Sequence, residues 1–253
     1  MSALLKYEFR KTWAAKLMVL GIAAVAEIAF LIGIAMGNDS TRGSNLIGIS
    51  VSLLMIIAMF GIMFIGIQSV VILHRDMNTK QGYMLYMTPR NSYQILGAKF
   101  IENGISIVLA GAAFFLLGVL DVTLMFSRFG SLDQLWKIVR QMLETMNAQI
   151  ELNLQGFLSL TVAMIASWLA TVAIAFLADI ISSALLNGKK FNGLVTFLFF
   201  ILLSIAMNWL QQLIPGNGMA LTNLLLYQAG IAILYAAVMY FLSAYIMDHY
   251  LSV

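Results

Sequence analysis

Residues 17–36 read LMVLGIAAVAEIAFLIGIAM, an apolar run in which Glu27 is the only ionisable side chain. A helix of about 20 residues crosses the hydrocarbon core of a bilayer, which is roughly 30 Å thick. The run exceeds the roughly 7 to 15 apolar residues of a secretory signal peptide, and no small-residue cleavage pattern precedes the polar turn at 37–40. We therefore expect a retained membrane-spanning helix here.

Five further apolar runs follow along the chain. They occupy residues 46–73, 95–125, 154–186, 191–213 and 224–247. Hydrophobic residues make up 62% of the 253 residues and charged residues only 10%, whereas a soluble domain carries about 25% charged residues. The sequence predicts an all-α polytopic membrane protein with six transmembrane helices, and a single domain over 1–253, because no repeat or flexible linker interrupts it.

The basic residues are distributed asymmetrically between alternate connections. Ten of the 14 Lys and Arg residues lie in the N-terminal arm and in the second-to-third and fourth-to-fifth connections. They are Lys6, Arg10, Lys11, Lys16, Arg75, Lys80, Arg90, Lys99, Lys189 and Lys190. Because basic residues are retained on the cytoplasmic side, both termini are expected in the cytoplasm, with an even number of spans between them.

The side chains that enzymes need are scarce. The chain has no Cys, and its two His residues, His74 and His249, are 175 positions apart, so neither a thiolate nucleophile nor a metal-binding helix is expected. No phosphate-binding GxxxxGK[ST] pattern is present, so any ATP hydrolysis would need a separate subunit. We expect no enzymatic activity, metal or cofactor in this chain. The net charge of +3 is too dispersed for a nucleic-acid partner.

Glu27 lies about ten residues inside the first span. A charge at that depth costs on the order of 3 kcal/mol, so Glu27 is expected to face the protein interior, to be protonated or to pair with a polar group. Gln68 and Asn208 are candidate polar partners. Glu27 is interpreted either as a proton-relay or cargo-contact residue, or as a protonated or paired packing residue.

Two stretches have helical amphipathic periodicity outside the apolar runs. From Leu132 onward, apolar residues recur at steps of three and four, and the predicted helix lies on the outer side between the third and fourth spans. It either gates the path or contacts cargo, or else packs on the tops of the spans. Its candidate residues are Phe129, Trp136, Met142 and Met146. The N-terminal arm shows the same pattern and predicts an interfacial helix on the inner side.

The connection between the second and third spans carries unusual chemistry. Residues 74–94 read HRDMNTKQGYMLYMTPRNSYQ. Asp76 and Asn78 are able to cap a short helix, and Pro89 would end it. The exposed Met and Tyr side chains suggest docking into a groove of another protein, the alternative being a helix that lies on the inner leaflet.

This connection resembles that of permease subunits of ATP-binding-cassette type-2 exporters. In that family an Asp after the second span is followed by a Gly-Tyr stretch, a Leu, a Pro and a Lys in the third span. The matching residues here are Asp76, Gly82, Tyr83, Leu85, Pro89 and Lys99. The opening LKYEFRKT at 5–12 is similar to the amphipathic helix with which family members begin.

The resemblance implies a half-transporter. Two six-span permeases, identical or homologous, would enclose a path in a bacterial plasma membrane, and two copies of an ATPase subunit that binds ATP and Mg would dock below. The implied ATPase-coupling residues are Arg75, Asp76, Met77, Lys80, Gly82, Tyr83, Met84, Leu85, Met87 and Pro89. Cargoes associated with such permeases include antimicrobial peptides, drugs, lipids and polysaccharides, and an amphiphilic compound is the expectation here.

Two other functions stay open from the sequence. The chain is alternatively a freestanding transporter or channel driven by an ion gradient through Glu27. It is otherwise a membrane anchor or sensor that recruits a complex and moves nothing. Both alternatives keep the six spans and the bilayer as partner. Unlike the exporter, neither depends on an ATPase subunit for transport.

Overall fold

The fold is known from a computed structural model of the chain. It describes residues 2–36, 41–78, 91–129, 154–186, 191–214 and 220–250. Within these residues the secondary structure is helical. The helices are α1 (Ser2–Met36), α2 (Thr41–Asn78), α3 (Ser92–Phe129), α4 (Leu154–Leu186), α5 (Asn192–Gln212) and α6 (Leu221–Tyr250).

All six helices are long and apolar enough to cross a membrane, which confirms the predicted polytopic membrane protein. α5 has 21 residues, close to the thickness of the hydrocarbon core, whereas α2 and α3 have 38 each. At about 1.5 Å per residue, a helix of 38 residues is about 57 Å long, so it must tilt or extend beyond the hydrocarbon.

α1 begins 15 residues before the apolar run at 17–36 and is continuous across the predicted interfacial segment. The placement of its first residues at the membrane surface stays a prediction. The predicted coupling segment and the predicted outer helix fall largely on residues 79–90 and 130–153, which lie outside the described residues.

The chain divides into two compact units. The first unit comprises residues 1–8, 67–104 and 150–253, and the second comprises 9–66 and 105–149. In the second unit α1 and α2 approach closely at Gly33, where a Cβ would lie 3.1 Å from the backbone nitrogen of Ile47. A side chain at this position would have to displace Ile47, so Gly33 allows the two helices to lie this close.

In the first unit α4 packs against α5 and α6. Small residues of α4 face small residues of α6, which allows the two backbones to approach as membrane helices commonly do. The buried residues are Ala163, Ala166, Ala170 and Ala173 of α4 with Ala229, Ala232 and Ala236 of α6. A second apolar cluster joins Leu73 at the end of α2 to Leu96 in α3 and Met247 in α6. Phe176 of α4 belongs to the same cluster, which therefore brings four helices together next to the polar groups described below.

Candidate functional site: a buried ionic cluster

Lys99 is buried and contacts two carboxylates. Its Nζ donates to Oε1 of Glu8 at 2.9 Å and to Oδ2 of Asp76 at 2.7 Å. The side chain of Lys99 is 1% exposed, and those of Glu8 and Asp76 are 4% and 5% exposed. We call these three residues the Lys99 cluster.

The Lys99 cluster joins three helices at one end of the first unit. Glu8 is in the second turn of α1, Asp76 is two residues before the end of α2, and Lys99 is in the second turn of α3. Burying an ion costs several kcal/mol, and the pairing must offset this cost. Separating Lys99 from either carboxylate would therefore break a buried ion pair, so the cluster holds the three helices in one arrangement.

The cluster also brackets the connection that carries the predicted coupling residues. Asp76 lies at the start of that connection, two residues before the end of α2, and Lys99 lies about two helical turns into α3. The start of α3 is separately fixed by Asn91, whose Oδ1 accepts the backbone N–H of Tyr93 at 3.3 Å and whose carbonyl accepts that of Gln94 at 2.8 Å. The end of α2 and the start of α3 are therefore both held in defined positions.

One turn farther into α3, two more polar side chains are buried. Glu102 and Asn103 are both almost inaccessible to solvent. Trp168 of α4 donates its indole N–H to Oδ1 of Asn103 at 3.4 Å. This bond ties α3 to α4 just beyond the Lys99 cluster.

His74 forms a second polar link from the end of α2. Its Nδ1 lies 2.5 Å from Oδ1 of Asp179 in α4, and the hydroxyl of Thr196 in α5 donates to the same oxygen at 3.5 Å. The Asp179 side chain is 1% exposed and the His74 ring is 39% exposed. The carboxylate holds the imidazole at its Nδ1, so α2 is connected to the α4–α5 pair.

The polar region continues along α4 and α5. The hydroxyl of Ser182 donates to the backbone carbonyl of Asn192 at 2.8 Å and is also in contact with its side-chain oxygen. The amide of Asn192 donates to the Ser183 hydroxyl at 3.2 Å. These buried bonds fix the start of α5 against the end of α4, on the side of the unit where Asp179 lies.

The predicted coupling residues are only partly within the described chain. Arg75 is exposed, Asp76 is buried and Met77 is half-buried. Outside the described residues lie Lys80, Gly82, Tyr83, Met84, Leu85, Met87 and Pro89. Asp76 and Lys99 are the members of the motif that the structure brings into contact.

The intramembrane polar residues fall in different units. Glu27 is in the second unit, and its carboxyl group hydrogen-bonds that of Asp121 in α3. Gln68 and Asn208 belong to the first unit. The side-chain Oε1 of Gln68 is buried with no hydrogen-bond partner among the described residues, and Asn208 is exposed. Asp121 is thus the partner that sequence reasoning did not anticipate.

The residues predicted for an outer gate or cargo helix fall at the end of α3 and beyond it. Trp136, Met142 and Met146 lie outside the described residues, and Phe129 is the last residue of α3. Their assignment to an outer gate or cargo helix stays a prediction. No group of three or more His, Asp or Glu side chains that would hold a metal ion occurs among the residues described.

Two functional candidates were missed by sequence reasoning. Glu8 is the one acidic residue in a strongly basic arm, and that isolation was the available signal of a specific partner. Asp179 lies inside the apolar run 154–186, and an acidic residue in such a run was the available signal of a buried partner. Comparisons of the chain with protein-family models, characterised proteins and solved structures find no match. What the molecule does is therefore inferred from its own residues and contacts.

Proposed function

We propose that this chain is the transmembrane permease half of an ATP-driven exporter of the ATP-binding-cassette type-2 class. It moves an amphiphilic cargo, such as a peptide, a drug-like compound or a lipid, with energy supplied by a separate ATPase subunit. The supporting observation is the Lys99 cluster, because it unites Asp76 and Lys99, two residues of the motif that carries the family resemblance, with Glu8 of the N-terminal segment.

The location of this cluster suits a coupling function. ATP binding shifts the spans only by the difference in docking free energy between two states of the ATPase. A docking segment transmits that free-energy difference to the spans only if the helix ends on either side of it are rigid. Asp76 and Lys99 fix the end of α2 and the start of α3, since moving either residue alone would separate a buried ion pair.

The His74–Asp179 link extends the same path. Displacement of the end of α2 reaches α4 through His74 and α5 through Thr196. In this proposal the coupling helix lies between α2 and α3, with Tyr83 and Leu85 docking in a groove of the ATPase. The first turns of α1 lie at the inner membrane surface, and an outer amphipathic helix precedes α4.

The partners and setting follow from the same proposal. Two ATPase subunits bind ATP and Mg, a second six-span permease completes the path, and this chain performs no catalysis and binds no nucleic acid. Both termini are cytoplasmic, and the membrane is a bacterial plasma membrane. The permease is a multi-pass protein embedded in lipid.

Co-purification tests the proposal directly. The full chain is isolated from its native membrane in mild detergent, and bound polypeptides are identified by mass spectrometry. We expect an ATPase with a phosphate-binding loop to co-purify with the chain. The Leu85→Asp substitution should abolish this co-purification, whereas Leu213→Asp, at an exposed position, should leave it unchanged. A chain that moves cargo in vesicles with no such subunit contradicts the proposal.

A second function is supported by Glu27 and Asp121. A hydrogen bond between two carboxyl groups needs a proton on one of them, and the remaining oxygens, Glu27 Oε2 and Asp121 Oδ1, are buried without a partner among the described residues. A proton held inside candidate spans is what a proton-driven transporter would use. Cargo flux driven by a pH gradient without ATP, and abolished by Glu27→Gln, would favour this function over the exporter.

A further inference from the structure

One side of α5 is uncovered along its whole length. The buried residues of α5 are Asn192 and Met207, which lie on the side that packs within the first unit. On the side that points away from these contacts, exposed residues follow one another at alternate steps of four and three, so they form one stripe along the helix. They are Leu194, Leu198, Ile201, Ile205, Asn208 and Gln212. We call this stripe the Asn208 face.

Asn208 makes lipid an unfavourable neighbour for this face. α5 has 21 residues, and a span needs about 20 to cross the hydrocarbon core, so Asn208, four residues before the end of α5, lies within the hydrocarbon when α5 spans the membrane. The Asn side chain carries two N–H donors and a carbonyl acceptor. Within the described part of the chain no residue hydrogen-bonds this amide. Hydrocarbon would leave every one of these groups unpaired, which is costly.

A second copy of the same chain satisfies this amide. Two copies inserted with the same orientation carry Asn208 at the same depth, and the amide of one donates to the side-chain oxygen of the other across a two-fold axis. Asn side chains form hydrogen bonds of this kind between membrane helices. The Leu and Ile residues of the face recur on average every 3.5 residues, the period with which two helices pack along each other at a small crossing angle.

We propose that the Asn208 face is the surface through which two copies of this chain pair. The proposal names an identical chain as the second permease, and in that respect it rests on the proposed function. The contact itself needs neither ATPase nor cargo. A dimer that forms through this face in a chain that binds no ATPase would support the pairing and contradict the exporter, so the two proposals fail separately.

Disulfide crosslinking of single-cysteine variants tests the face. The chain contains no Cys, so each variant reports one position. Ile205→Cys lies on the face, and Ala206→Cys is the matched control, because Ala206 is the next residue, is also exposed and lies off the face. The full chain is reconstituted in vesicles at a low ratio of protein to lipid and oxidised with copper phenanthroline. We expect disulfide-linked dimers of Ile205→Cys and few of Ala206→Cys.

Variants of Asn208 test the amide. In the Ile205→Cys background, Asn208→Leu should weaken dimerisation about 3- to 30-fold, the range expected for one hydrogen bond between membrane helices, whereas Asn208→Gln keeps an amide and should retain most of the crosslinking. Unchanged crosslinking in Asn208→Leu would overturn the role given to the amide.

The single-cysteine variants also identify the other neighbours that this face could have. Equal crosslinking of Ile205→Cys and Ala206→Cys, or none of either, would overturn the proposal and leave the face to lipid. Reaction of Ile205→Cys with a water-soluble maleimide in place of dimerisation would overturn it as well, because the face would then line an aqueous path.

Discussion

At the scale of single residues, Lys99 carries the largest expected energetic effect. Lys99→Met removes the buried cation that contacts Glu8 and Asp76, and breaking a buried ion pair costs about 3 to 5 kcal/mol. We expect a clear loss of thermal stability in detergent micelles. Lys6→Met, the same substitution at an exposed position of α1, should change little.

A charge-neutral variant distinguishes ion pairing from packing at this site. Combining Lys99→Met with Glu8→Gln and Asp76→Asn removes all three charges, so the triple variant should recover part of the stability lost by Lys99→Met. If the triple variant is less stable than Lys99→Met, the carboxylates are stabilised by something other than Lys99.

His74 and Asp179 give a second prediction at this scale. His74→Leu removes the donor that faces the buried Asp179 carboxylate, and a hydrogen bond to a charged group contributes about 1.5 to 3 kcal/mol. We expect His74→Leu to lower the melting temperature. His249→Leu is the matched control, because His249 is exposed near the end of α6, where among the described residues it contacts only the Tyr245 carbonyl and ring and no buried carboxylate. Equal effects of the two substitutions would mean that the Asp179 link contributes no stability.

At the scale of helices, the contact of α4 with α6 depends on small residues. Ala232 is fully buried in that contact, so Ala232→Leu must push the two helices apart. Overpacking of this kind costs about 1 to 3 kcal/mol. Ala206→Leu on the exposed face of α5 should be tolerated. Thermal unfolding in micelles measures both variants, and a stable Ala232→Leu protein would show that the helices adjust freely.

The connection after α2 yields a prediction for coupling. We expect Tyr83→Ala and Leu85→Asp to abolish cargo-stimulated ATP hydrolysis by the reconstituted complex while membrane insertion is retained, because both residues are proposed to dock in the ATPase. Tyr227→Ala removes an exposed Tyr near the start of α6 and should leave hydrolysis intact. Unchanged stimulation in both connection variants would refute the assignment of the coupling segment.

At the scale of the whole molecule, orientation follows from the basic residues. The chain contains no Cys, so single cysteines report orientation without a background signal. We expect Lys6→Cys and Tyr250→Cys to react with a membrane-impermeant maleimide only after the cells are opened, and Arg42→Cys to react in intact cells. Reaction of Arg42→Cys only in opened cells would reverse the predicted topology.

Span positions could be predicted well, because each depends on a local run of apolar side chains. The fourth predicted span, 154–186, coincides with α4, and the fifth, 191–213, differs from α5 by one residue at each end. The largest difference is at α1, which begins at Ser2. Its first turns contain Lys and Arg, so hydrophobicity does not reveal that they continue the helix of the span.

The candidate site was less accessible to sequence reasoning. The motif identified Asp76 and Lys99 as candidate residues, but no local sequence pattern indicated that their side chains contact each other. Glu8 lies 91 positions from Lys99, and Asp179 lies 105 positions from His74. The contact of Asp121 with Glu27 likewise depends on how α1 and α3 lie together in the second unit, which no local pattern shows.

The sequence by itself determined that this is a helical membrane protein with six candidate spans, since the free energy of transferring a segment into lipid depends on the segment's own side chains. The tertiary structure alone decided which charges became partners. A buried Lys is stable only where packing brings carboxylates to within hydrogen-bonding distance, and that distance is set by how the helices pack rather than by any property of one segment.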